Sequence, residues 1–339
     1  MKLSYSLLFV IGLISFSAQA QYTDLINSNR PGVSRSAWSV GKNVAQVEAG
    51  PYMTKEKHSL LNNELSGFGV DFAARYGLMW EELELNIEGI YQSATFTDNR
   101  SIIPVENKFS NFKNLVIGAK YLIYDPYKDK EEEKPNLFSY HANKRFKWSS
   151  LIPAVAVYVG ANFDAKDNPY TAPDVEGFSP KVTVMTQNNF VSGWVMVVNL
   201  SKDRIGSAFS DFQYIITFTK AINEKWVGFG EAQGIYSDFY ADNLFRVGGA
   251  YLWSKDFQLD AGVTFNTKDT PSVFSLNLGV SYRYDMHVDP EEKDNGTDVI
   301  DEYERKANKK RGKKKRKKDK EKSGDKPKRK KETQQIDFD

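Results

Sequence analysis

The sequence predicts an all-β fold, a transmembrane up-and-down antiparallel β-barrel of about twelve strands, and three observations carry that expectation. First, the last periodic stretch alternates strictly. Phe274, Leu276, Leu278, Val280, Tyr282 and Tyr284 are apolar or aromatic, and the residues between them are mostly small or polar. That is the two-residue period of a strand with unlike faces. Second, aromatic residues make up 14% of the chain, with 18 Tyr and 22 Phe, which suits the aromatic girdles of a membrane barrel. Third, no apolar run after Ala20 approaches the roughly 20 residues of a spanning helix.

Taken in order, the chain opens with Met1-Lys2-Leu3, an apolar run from Leu7 to Ile14, and Ala18-Gln19-Ala20. A charged start, a short apolar middle and a small-residue cleavage site predict a signal peptide over 1–20. The chain has no cysteine, so neither a disulfide nor a lipidated cysteine is available. Residues 21–42 are rich in turn-formers and hydroxyls and lack strand periodicity, which predicts an irregular periplasmic or lumenal lead-in.

From Asn43 onward, alternating segments recur near 43–54, 66–77, 81–96, 111–124, 150–163, 179–190, 193–202, 210–220, 224–236, 243–253, 256–267 and 273–285. An even number of strands places both ends of the barrel on one side of the membrane. The polar row of each segment holds its charges: Glu48, Asp71, Arg75, Glu82, Glu84, Glu88, Lys120, Glu231, Arg246, Asp260 and Arg283. An Arg or Lys facing lipid near the midplane costs about 2–4 kcal/mol. These side chains are therefore expected to line the lumen. Arg30 and Arg35 precede an acidic barrel, and the carboxylates of strands one to three offer them partners, so they should narrow the periplasmic mouth.

The connections alternate as well. Polar stretches at 55–65, 97–110 and 164–178 read as outer loops, and short links such as Ile222-Asn223-Glu224 read as periplasmic turns. Residues 125–149 break the pattern as a long, charged periplasmic connection, either a solvated excursion or a docking segment. After residue 286 the composition cannot bury a core, which predicts a disordered tail over 286–339. Of 46 Lys and Arg, 18 lie between Arg305 and Lys331. A signal peptide makes nucleic acid a poor partner for this run. Peptidoglycan, anionic lipid or an envelope protein suits it better, through 305–331.

Catalytic constellations are absent from the pattern. His58, His141 and His287 fall on different connections, which argues against a histidine-paired nucleophile or a histidine metal site, so neither enzyme, cofactor nor metal is expected. Asp164, Asp167, Asp174 and Glu176 crowd one outer loop, but their spacing fits no calcium loop of the helix–loop–helix type.

The row from Phe274 to Tyr284 resembles the terminal strand of outer-membrane barrels, which implies recognition by the barrel-insertion machinery and contact with outer-membrane lipid. More widely, Asn29-Arg30-Pro31-Gly32, Ser36, Val40, Gln46-Val47-Glu48-Ala49-Gly50, Gly118-Ala119-Lys120-Tyr121, Pro153-Ala154 and Phe178-Ser179-Pro180-Lys181 resemble an outer-membrane transporter family. It is labelled as the MetA pathway of phenol degradation, and the resemblance covers 27–285. It implies a barrel of transporter type in a Gram-negative outer membrane. The expected function is a channel or transporter for small polar or amphipathic solutes. The alternative is a non-enzymatic accessory subunit of an outer-membrane assembly, its lumen closed and its tail contacting periplasmic partners.

Overall fold

The computed structural model describes residues 25–127, 148–173, 175–207 and 209–287. The expected signal peptide, most of the 125–149 connection, His141, Asp174 and the tail from 288 lie outside them. Twelve strands follow in order: β1 (Val44–His58), β2 (Asn63–Gly77), β3 (Leu83–Asp98), β4 (Val105–Tyr124), β5 (Ala154–Asp164), β6 (Gly177–Phe190), β7 (Trp194–Asp203), β8 (Asp211–Ala221), β9 (Trp226–Tyr236), β10 (Asp242–Ser254), β11 (Phe257–Asn266) and β12 (Ser272–Asp285). Each pairs antiparallel with its sequence neighbour, and β1 closes on β12 through pairs such as Glu48 with Ser281. Closure leaves the spanning wall no free edge, which is the condition for a sheet to cross hydrocarbon.

The outside of this wall is apolar. Leu276, Leu278 and Val280 are exposed, as are Val47, Ile117, Val159 and Val247. Aromatic residues bracket that band. Near the rim that carries both ends of the barrel stand Trp80, Trp194, Trp226, Trp253 and Tyr284; towards the opposite rim stand Phe68, Phe163, Phe178, Phe212, Tyr236 and Phe274. Two aromatic belts around an aliphatic band are the signature of a wall standing in a bilayer. The rim that carries the barrel's ends is called the inner rim below, and the other the outer rim.

Two hairpins run further than their periodicity predicts. β1 continues to His58 and β4 begins at Val105, so the stretches expected as loops at 55–65 and 97–110 shrink to turns of 59–62 and 99–104. Lys55 and Lys57 pair with Leu65-flanking positions Ser66 and Glu64, and Asn107 and Lys108 pair with Phe96 and Thr95. The cause is physical: beyond the lipid both faces of a strand are polar, so the ladder continues while the hydrophobic alternation stops.

The described lead-in, 25–42, does not sit beside the barrel. It enters the lumen, where Ala37 and Trp38 pack against a cluster from β4, β5 and β6 made by Val116, Leu122, Ala154, Ala156, Tyr158 and Met185. This is the apolar core of the molecule, and it lies between the wall and a segment with no regular structure.

Candidate functional site

An irregular segment inside a barrel must find partners for its backbone groups among wall side chains. The lead-in does so along its whole course. Ile26 N donates to Lys255 O at the inner rim, 2.8 Å. Arg75 Nη1 and Gln46 Nε2 then donate to Asn27 O at 2.7 and 3.1 Å, and Asn29 N donates to Glu48 Oε1 at 3.2 Å. At the turn of the segment, Val33 N and Ser34 N donate to the Glu231 carboxylate at 3.1 and 3.2 Å. Descending again, Arg35 exchanges two backbone bonds with the amide of Asn199, 2.6 and 2.9 Å. Lys120 Nζ donates to Trp38 O at 2.8 Å, and Val40 N donates to Glu84 Oε2 at 3.0 Å. The segment is a plug, entering from the inner rim and returning to it.

Two arginines project from the plug. Arg30 pairs with Asp71 of β2 and with Asp260 of β11, the latter at 3.2 Å. Its guanidinium lies against Gly50 and Gly279, where a Cβ would overlap it. Arg35 bonds Glu88 of β3 through Nε at 3.0 Å and lies 4.5 Å above the Tyr158 ring. Below them, Arg75 bridges Glu48 at 3.2 Å and Glu84 at 2.9 Å, and Lys120 meets Glu84 at 3.0 Å. On the far wall, Glu231 takes Arg246 at 3.0 Å and Thr217 Oγ1 at 2.7 Å. Nine of the expected lumen residues thus converge on the plug or on its direct partners.

The other two stand apart. Arg283 pairs with Asp256 at 2.8 Å near the inner rim. Glu82 is buried in the turn before β3, where its carbonyl accepts Leu122 N at 3.0 Å. Arg30 also differs from expectation in depth: it reaches past the mouth to the level of Gly50 and Gly279, because the paired carboxylates Asp71 and Asp260 stand there. Sequence reasoning missed the neutral partners Asn199 and Gln187, whose amides hold the backbone of Arg35 and Ala37 and the hydroxyl of Ser36. Both lie on the inward row, but an inward Asn or Gln looks the same in sequence whether it meets chain or water.

Outward of the plug the lumen opens into a chamber of about 600 Å³. Its wall changes character. Leu65, Ile90, Ile215, Ile235, Leu244 and Val273 line it, together with Phe209, Phe239 and Tyr240 from the outer connections. The connection 165–176 folds inward over one side, fixed by Asn168 Nδ2 to Phe112 O at 2.7 Å and Tyr170 OH to Gln92 O at 3.1 Å. Burial pushes the Tyr170 hydroxyl up to about 12, so it stays neutral. Near the outer rim Lys181 meets Asp203 at 3.1 Å and Arg204 meets Asp164 at 3.0 Å, which commits one of the loop's carboxylates to a guanidinium. His58 accepts Leu61 N near the outer rim, and His287 lies at the inner rim. Among the described residues no group of three or more His, Cys, Asp or Glu is placed to hold a metal ion.

A sequence model of the family described as "Putative MetA-pathway of phenol degradation" matches residues 28–284. No curated protein matches the chain. Among solved structures, the translocator domain of the autotransporter NalP from Neisseria meningitidis is 11% identical and covers 76% of this chain and 90% of its own, with a TM-score of 0.45. An outer membrane channel from Pseudomonas putida F1 is 9% identical, with 76% and 100% covered and a TM-score of 0.46. The Pseudomonas putida toluene transporter TodX is 10% identical, with 78% and 95% covered and a TM-score of 0.43.

Proposed function

The chain belongs to the MetA-pathway phenol-degradation family, and on that premise we propose that it is a non-enzymatic outer-membrane channel for small amphipathic solutes, closed at its inner end by its own lead-in. One observation carries the reading: the inner lumen is filled by a separate segment, not by the wall. A barrel built only as a scaffold can fill its lumen with side chains of its own strands. Here the wall instead recedes, with glycine at Gly50 and Gly279 to admit Arg30. What a segment occupies, a solute can occupy when the segment moves. An outer chamber that sets aliphatic and aromatic residues beside polar ones suits a solute with both an apolar and a polar part.

The test is planar-bilayer conductance of the full chain beside a variant lacking 25–42. The full chain should show low, intermittent conductance and the variant a steady open level, with heat modifiability on unboiled gels retained by both. A folded variant that passes neither ions nor solute, and that co-purifies with other envelope proteins, would instead establish the accessory-subunit reading. The basic run at 305–331 is proposed to hold the barrel to anionic envelope surfaces by charge, weakening with salt. Removing 305–339 should lower retention by peptidoglycan at low salt. Equal retention would reduce the run to a solvated end.

A further inference from the structure

The chamber wall contains two polar side chains whose hydrogen-bonding capacity is not met. Gln92 of β3 is 1% exposed and lines the chamber, and its Nε2 has no partner. Asn114 of β4 also lines the chamber, and its Oδ1 is enclosed without a partner. A buried polar atom left unmet costs free energy comparable to a lost hydrogen bond, so such a pair on one wall calls for an explanation.

The wall is built to hold these groups in place. Tyr52 OH donates to Gln92 Oε1 at 2.7 Å, which fixes the amide and turns Nε2 away from the tyrosine. If the amide were reversed, Tyr52 would take the nitrogen and the oxygen would be the unmet atom. Either way one polar atom of Gln92 remains. Gly67, across from Ala94, lacks the Cβ that would stand 3.1 Å from Nε2 and narrow the approach to it. Asn114 owes its position to a bulge: Tyr91 pairs with Phe112 and Ile90 with Asn114, so Lys113 is the extra residue. Bulges re-aim side chains, and this one sets Asn114 beside Ile90 on the inward row that also carries Gln92. Leu65, Ile90 and the Tyr170 ring supply apolar surface around the pair.

We propose that Gln92 and Asn114 form a recognition subsite for the polar head of the solute, and that this head is a neutral group with both a donor and an acceptor, a hydroxyl or a primary amide on an apolar body. The inference rests on the channel reading and adds the chemical class of the solute. A hydroxyl can accept from Gln92 Nε2 and donate to Asn114 Oδ1, which a hydrocarbon cannot do. A carboxylate meets only one of the two needs, since it can accept from Gln92 Nε2 but has no proton to donate to Asn114 Oδ1. Most of the cations that line the chamber are already engaged by carboxylates: Arg30 by Asp71 and Asp260, Arg35 by Glu88, Lys181 by Asp203, Arg204 by Asp164 and Asp211, and Arg246 by Glu231.

The experiment uses the full chain in lipid nanodiscs and three probes: 4-fluorobenzyl alcohol, 4-fluorotoluene and 4-fluorobenzoate. Binding is read from fluorine line widths, each compared with empty nanodiscs to remove partitioning. The alcohol should bind about tenfold more tightly than the toluene, the size expected of one or two net hydrogen bonds, and the benzoate least. Gln92→Leu should bring the alcohol down to the hydrocarbon's affinity. Asn114→Leu, which leaves the Tyr52–Gln92 bond intact, should lower it severalfold and guards against a variant that merely misfolds. Equal binding of all three probes to the wild type, or an alcohol preference that survives in both variants, would overturn the subsite. Steady conductance after loss of 25–42 together with equal probe binding would leave a channel without this selectivity; alcohol binding without conductance would sink the channel reading alone.

Discussion

The inner and outer halves of the lumen solve the same problem in opposite ways. The inner half is crowded with charge, and nearly every charge is matched: Arg75 between Glu48 and Glu84, Arg30 between Asp71 and Asp260, Glu231 under the plug backbone. The outer half sets aliphatic and aromatic side chains beside its polar ones, around open space. Charges shut away from water are tolerated only with partners in place, so the charges enclosed around the plug depend on one another and on its groups, whereas those beside open space can be met by water. Stability and closure therefore reside in the inner half, and selection among solutes in the outer half.

The sharpest way to break this contrast is at Arg75, which is fully enclosed between two carboxylates. Arg75→Met removes the shared partner and should cost about 3–5 kcal/mol, the range for stranding a buried charge. Loss of the heat-modifiable band at a lower temperature would measure it. A cost near zero would mean that water already reaches Glu48 and Glu84.

A smaller effect is expected at the tip of the plug. Arg30→Gln removes its pairs with Asp71 and Asp260 and should cost about 1.5–3 kcal/mol, as for hydrogen bonds to charged groups. It leaves the bonds of the lower plug, so conductance should come in more frequent bursts without becoming steady. Gly279→Ala should act in the same direction by displacing the guanidinium while leaving every charge present. If the alanine variant gates like the wild type, the guanidinium does not depend on that close approach.

The outer half should respond least in stability and most in selectivity. Leu244→Ala, on a partly exposed chamber residue, should cost about 1 kcal/mol or less, because little of the side chain leaves water on folding. It should nonetheless change relative uptake among apolar-bodied solutes in a liposome-swelling assay. An equal loss of stability at Leu244 and Arg75 would erase the division between the halves.

How much of this was legible in sequence follows from what each half asks of its residues. Alternation marked Leu276, Leu278 and Val280 as one apolar face, and it is the closed wall with these residues exposed on its outside that makes this the lipid face and not a core. It failed where the oil ends: Lys55, Lys57, Glu106 and Lys108 continue the ladder, but nothing in their polarity says strand. Among the inward charges, parity placed Glu48, Arg75 and Glu84 in the lumen, and the arginines of the lead-in pointed to acidic partners. Depth was illegible. That Arg30 should rise to Asp71 and Asp260, and that the amides of Asn199 and Gln187 should bond main chain, are facts of three-dimensional adjacency that one sequence does not encode locally.

The plug joins the wall almost at once. Asn43 N bonds Gly77 O at 3.0 Å and Val44 N bonds Gly41 O at 3.3 Å, so only Gly41, Lys42 and Asn43 separate the last plug contacts from β1. A displaced plug is therefore a ligand on a very short leash. Its effective concentration at its own site is on the order of millimolar, so recapture outpaces anything a free competitor can achieve at ordinary dose. Opening events should then be brief and their duration independent of protein concentration. A synthetic peptide of residues 25–42, added at micromolar level, should fail to close the shortened barrel as well as the tethered segment does.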